Sequence, residues 1–93
     1  MTNGINSDTI IQVGAGSTDN IIRQMERNPA NIRFADLCKV CDYYFGKPRT
    51  AGSHYIYKTP WQGDPRINIQ NDNGKAKAYQ VRQVLKAIDR LET

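Results

Sequence analysis

The clearest apolar run lies near the C-terminus, where Val81, Val84, Leu85, Ile88 and Leu91 recur at the three- and four-residue steps of one helical face. Arg82, Lys86 and Arg90 stand four apart on the opposite face, as its solvated side. A second helix is expected over about residues 32–45, because Phe34, Leu37, Cys38, Cys41 and Phe45 share a face and Gly46 supplies a left-handed stop. A shorter first helix is expected to begin near Thr18. There Ser17 or Thr18 can cap the first free amides, Asp19 suits the positive end of the helix dipole, and Ile21, Ile22 and Met25 form the apolar stripe. Asn28-Pro29 closes it, since proline biases the preceding residue away from helical geometry.

Between the second and last helices the period falls to two. Residues 47–51 read as a short first strand, and residues 53–59, rich in aromatic and branched side chains, as a second. Residues 60–65 form a turn, residues 66–70 alternate polar and apolar as a strand with one buried face does, and residues 71–77 are a polar loop containing Gly74. On the second strand Ile56 shares a face with His54 and Tyr57 shares the other with Tyr55, so alternation leaves open which face is covered. The expected fold class is α+β: a small antiparallel three-stranded sheet with two helices on one face, plus an extra N-terminal helix.

Residues 1–16 place Gly4, Gly14 and Gly16 among small polar residues and read as a flexible N-terminal tail. Residues 17–93 read as a single domain with its core in 32–91, because 93 residues enclose one core. The Gly14-Ala15-Gly16 stretch lacks the third glycine and the βαβ setting of a nucleotide-binding turn. A hydrophobic fraction of 39% with 24% charged residues suits a globular fold. There is no basic start leading into a long apolar run, and no stretch of 18 apolar residues, so neither export nor membrane spanning is expected and the cytoplasm is the default place. Cys38 and Cys41, three apart on a helical face, read as core thiols; redox pairs of this spacing open a helix, and a zinc site needs a second pair.

Charge is unevenly placed along the chain. Of the net +4, all the excess lies in residues 47–93, with nine Lys or Arg against four Asp or Glu, while residues 1–46 hold four against five. A half charged in this way attracts polyanions. Groups able to catalyse are few: there is one histidine, and no H-x-x-x-H or D-x-D spacing to hold a metal, so no metal or other cofactor is expected. His54 sits in Gly52-Ser53-His54-Tyr55-Ile56-Tyr57-Lys58, with Arg49 before it. A histidine flanked by cations suits metal-free RNA cleavage by a ribose 2′-OH. Imidazole titrates near pH 6.5 in its reference state and serves as general base, while Lys and Arg stabilise charge on the phosphoryl oxygens. The plain alternative is a half-buried strand histidine bonded to a backbone carbonyl, with Tyr55 and Tyr57 as packing residues instead of base-stacking platforms.

The segment Ala51-Gly52-Ser53-His54-Tyr55-Ile56-Tyr57 resembles the G-S-H-x-[IV]-[FY] signature of the HicA toxins. The order around it is similar too, with a helix ending at Gly46, a turn and strand over residues 61–70, Gly74-Lys75, and a closing helix containing Tyr79-Gln80-Val81-Arg82-Gln83-Val84-Leu85-Lys86. The likeness spans residues 32–91. It implies a double-stranded-RNA-binding-domain-like αβββα fold and an endoribonuclease, the toxin of a toxin-antitoxin system, that cleaves messenger RNA and is held by a HicB-type antitoxin. The catalytic role falls on His54, with Gly52, Ser53, Arg49, Lys58, Lys75 and Lys77, and also Tyr57, as candidate RNA contacts. Where relatives carry another histidine after the last strand, this chain has Asn71 and Asp72, and its N-terminal region is longer. The competing expectations are an RNA-binding module that does not cut and a protein that only docks a partner.

Overall fold

The computed structural model describes residues 13–92. The elements run α1 (Val13–Arg27), α2 (Phe34–Phe45), β1 (Arg49–Ala51), β2 (His54–Tyr57), β3 (Ile67–Gln70) and α3 (Ala78–Glu92). Among the described residues this is a small α+β domain with three helices and one antiparallel sheet in the order β1-β2-β3. Each strand therefore pairs with its neighbour in sequence, and β2 is central.

The two helices expected to cover the sheet do so on one face. Phe34 of α2 meets Tyr55 of β2 edge-on at 5.0 Å, and α3 packs along β3. Between them lies a core of Leu37, Val40 and Cys41 from α2, Tyr57 and Ile69 from the sheet, and Val81, Val84 and Ile88 from α3. Burying each of the larger of these side chains is worth about 1.5–3 kcal/mol relative to exposure. In β3 the buried Ile67 and Ile69 alternate with the exposed Asn68, the pattern read from the sequence.

Strand ends are shorter than the alternation suggests. β1 begins at Arg49 because Pro48 has no amide hydrogen for the ladder, which leaves Lys47 outside it. Ser53 belongs to the turn before β2, and Lys58 and Thr59 follow its end.

α1 packs against both α2 and α3 and adds Ile21 and Met25 to the core. It starts at Val13, earlier than the expected start near Thr18. The reason is that Thr18, only 5% exposed, stands on the inner stripe with Ile21, Ile22 and Met25, so it faces the other helices instead of capping free amides. Of the tail expected over residues 1–16, residues 1–12 lie outside the described residues, and the chain is helical from Val13.

α2 has no side-chain cap at Arg33; the Phe34 amide donates to the carbonyl of Gly74 at 2.9 Å, and the Ala76 amide to that of Ile32 at 2.9 Å. These bonds stitch the loop after β3 to the start of α2. Gly46 ends the helix at φ 85, its amide donating to Asp42. The two thiols are free, with Cys41 buried and Cys38 half-buried. Burial, with help from Asp42, pushes the Cys38 thiol up to about 11, against a small opposing bond from Tyr57, and burial raises Cys41 as well. Both are inert core groups at neutral pH. Among the described residues no helix is long and apolar enough to cross a membrane.

Candidate active site

The position of His54 is set by the shortest turn in the sheet. Ala51 pairs with His54, so Gly52 and Ser53 alone make the β1–β2 turn. Gly52 has φ 61 while Ser53 is not among the positive-φ residues, the pattern of a turn whose twist matches antiparallel strands. A β-carbon at Gly52 would meet nothing within 4 Å, so only its backbone conformation demands glycine. The turn is tied to β3 twice: the Asn71 amide donates to the carbonyl of Ser53 at 2.9 Å, and the Gln70 side-chain amide to Ser53 Oγ at 3.4 Å.

Register decides which residues meet. Ile56 lies opposite both Arg49 and Asn68, and His54 lies opposite both Ala51 and Gln70. Directly paired residues share a face, so Arg49, Ala51, His54, Ile56, Asn68 and Gln70 occupy the face away from the helices. Tyr55 and Tyr57 take the covered face. Tyr57 is 0% exposed and its hydroxyl donates to Asp42 Oδ1 at 2.8 Å, so it is no RNA contact. Burial and that bond raise its phenol far above the ordinary range.

On the open face the half-buried His54 ring lies with Nδ1 2.9 Å from Asn68 Oδ1. A side-chain carbonyl only accepts, so Nδ1 carries the hydrogen and donates, and Nε2 is left as the basic nitrogen. A diagonal cross-strand neighbour thus fixes both the tautomer and the ring plane. Behind it, the Gln70 amide donates to Oε1 of Gln80 at 2.8 Å; Gln80 is 4% exposed, and it anchors the end of β3 to α3.

No family model, curated protein or solved structure matches this chain.

The candidate cations divide into two groups. Arg49 and Lys58 join Lys47 and Arg66 around a cleft of about 290 Å³, completed by Phe45, Pro48 and Ile56. Lys75 lies elsewhere, in the loop after β3, where its Nζ donates to Asn31 Oδ1 at 2.9 Å. Lys77 is half-buried just before α3, and its carbonyl accepts from the amides of Gln80 and Val81. The structure does not bring these two into the cleft, because the loop that carries them is bonded to the start of α2. Among the described residues no three His, Cys, Asp or Glu are grouped as metal ligands.

Nothing in the sequence alone marks Asn68, Gln70, Lys47 or Arg66 as part of the site. Asn68 sits at a polar position of the expected third strand, but the long connection after β2 gives no register, so its meeting with His54 could not be read.

Proposed function

We propose that this chain is a metal-independent endoribonuclease of the HicA toxin type, acting on messenger RNA in the cytoplasm and held in check by a HicB-type antitoxin. In this reading the domain is the double-stranded-RNA-binding-domain-like αβββα fold with α1 added in front. The observation that carries it is the His54 ring on the uncovered sheet face, its Nδ1 held by Asn68. That tautomer leaves Nε2 to take the proton of a ribose 2′-OH as its oxygen bonds to phosphorus. The 5′-oxygen then leaves and takes up a proton from water, giving a 2′,3′-cyclic phosphate and a 5′-hydroxyl end, while the proton held on Nε2 returns to solvent. A positioned general base contributes roughly 10² to 10⁴ in rate, and the cations beside Ile56 raise the positive potential near the scissile phosphate.

The test is incubation of pure protein with end-labelled RNA in excess chelator, wild type beside His54→Ala. Wild type is expected to yield cyclic-phosphate ends, with His54→Ala at least roughly 100-fold slower and unchanged in thermal midpoint. Equal cleavage by the variant would sink the assignment. A second reading, an RNA-binding module without cleavage, draws on the basic cleft, which does not itself include His54. It predicts retained, intact RNA and indifference to His54→Ala.

A further inference from the structure

The sheet has two ends of different character. At the end where β1 and β3 begin and β2 finishes, four cations line the cleft, and among the described residues no carboxylate lines it. Like charges gathered in a concave surface repel one another and raise the local potential, an arrangement that a bound anion relieves. There Arg66 pairs with Asp64 at 2.7 Å, between exposed side chains, and such pairs are weak. Among the described residues Lys47, Arg49 and Lys58 have no carboxylate partner.

Ile56 connects this cleft to the catalytic ring. It lines the cleft, and it lies on the same face as His54 two residues along β2, roughly 7 Å at the usual strand rise. A strand of RNA with its reacting ribose at His54 would carry its neighbouring phosphates over Ile56 toward Arg49, Lys58 and Arg66. The opposite end offers less, since Lys75 is bonded to Asn31 and Lys77 is half-buried. The lining pairs these cations with Phe45, Pro48 and Ile56, so bases have apolar surface beside the groups that hold phosphate. Such a combination suits unstacked bases, which a duplex hides.

We infer that the cleft formed by Lys47, Arg49, Lys58 and Arg66 is a phosphate-binding subsite for single-stranded RNA extending from His54 across Ile56. It rests on the ribonuclease reading above for the placement of the reacting ribose. A neighbouring groove of about 310 Å³ shares Arg66 and adds Lys86 and Arg90, whose guanidinium lies 4.2 Å over Trp61. The track therefore continues past Arg66 toward α3.

The experiment measures binding of a fluorescein-labelled single-stranded oligoribonucleotide to full-length His54→Ala protein across a salt series. Into that background go Arg49→Ala with Lys58→Ala, Arg66→Ala alone, Asp64→Asn, and the remote Arg23→Ala as a charge control. The double variant is expected to bind at least tenfold more weakly and to lower the salt slope by about 0.7 for each lost phosphate contact on a single strand. Arg66→Ala should weaken binding several-fold, whereas Arg23→Ala should hold the parent affinity. Asp64→Asn should tighten binding by releasing Arg66, and asparagine tolerates the φ of 51 found there. Unchanged affinity and slope in the double variant, or preference for the same sequence as a duplex, would overturn the subsite. If wild type leaves RNA intact while the cleft variants lose binding, the ribonuclease reading falls and the subsite stands. If RNA is cut while those variants bind as the parent does, the subsite falls alone.

Discussion

The covered face of the sheet presents Tyr55, Tyr57, Ile67 and Ile69 to α2 and α3, whereas the uncovered face presents Arg49, His54, Ile56, Asn68 and Gln70. The two sets alternate along the same strands, one residue apart. On the covered side polar groups are spent inside the domain, as when the Tyr57 hydroxyl is given to Asp42. On the other side, among the described residues, the His54 ring is bonded through Nδ1 to Asn68, and its other nitrogen keeps its lone pair. Stability and, on the proposed ribonuclease reading, chemistry fall to neighbouring residues that substitution can separate.

The sharpest separation comes from Ile69→Ala beside Asn68→Ala. Ile69 is 0% exposed, and trimming it should cost about 2–5 kcal/mol of unfolding free energy, read from urea denaturation. Cleavage by the protein that remains folded should be unaltered. Asn68 is exposed and its bond to the ring is the one that fixes the tautomer. Asn68→Ala should slow RNA cleavage roughly tenfold, the equivalent of about 1.4 kcal/mol, with the urea midpoint nearly unmoved. A pair of variants in which Asn68→Ala unfolds the domain and Ile69→Ala spares it would dissolve the contrast.

How far these faces could be foreseen depended on what alternation can encode. In β3 the strict polar and apolar alternation identified Ile67 and Ile69 as inward residues, and the structure agrees. In β2 every position is aromatic, branched or histidine, so alternation makes both faces equally apolar; the packing of Tyr55 against Phe34 and the bond of Tyr57 to Asp42 separate them. The tight turn at Gly52-Ser53 gives the register of β1 on β2, yet residues 58–66 form a connection too long to give that of β3. Asn68 was hidden for that reason, as was the cleft. Lys47, Lys58 and Arg66 flank three different strand ends and gather only once those strands pair. Residues 17 and 18 misled in another way, since a Ser-Thr pair looks like a cap whether or not the helix continues through it.

A smaller effect probes the tie between the covered face and α2. Tyr57→Phe removes the hydroxyl bonded to Asp42 but leaves the ring in the core. Asp42 is exposed and can turn to water, so the expected loss is about 1 kcal/mol in urea denaturation, without change in cleavage. A loss above that of Ile69→Ala would mean that the hydroxyl bond, and not the ring, holds the strand to the helix.

The smallest predicted effect at neutral pH becomes visible only in alkali. Cys38 is raised from an ordinary 9.0 to about 11, first by burial and then by Asp42, and burial raises Cys41 and Tyr57 in the same direction. For an acid held protonated by the folded state, the unfolded chain releases its proton at lower pH. The stability contributed by these groups is therefore complete below pH 9 and declines as pH rises toward 11. The urea midpoint should be flat across neutral pH and fall through that interval, and Cys38→Ala should make the fall shallower. Iodoacetamide should label the folded protein slowly near neutrality and about tenfold faster with each added pH unit until the thiol ionises, because the thiolate is the nucleophile. Rapid labelling of Cys38 at neutral pH would place its thiolate in open solvent, and the packing of the covered face against α2 would have to be redrawn.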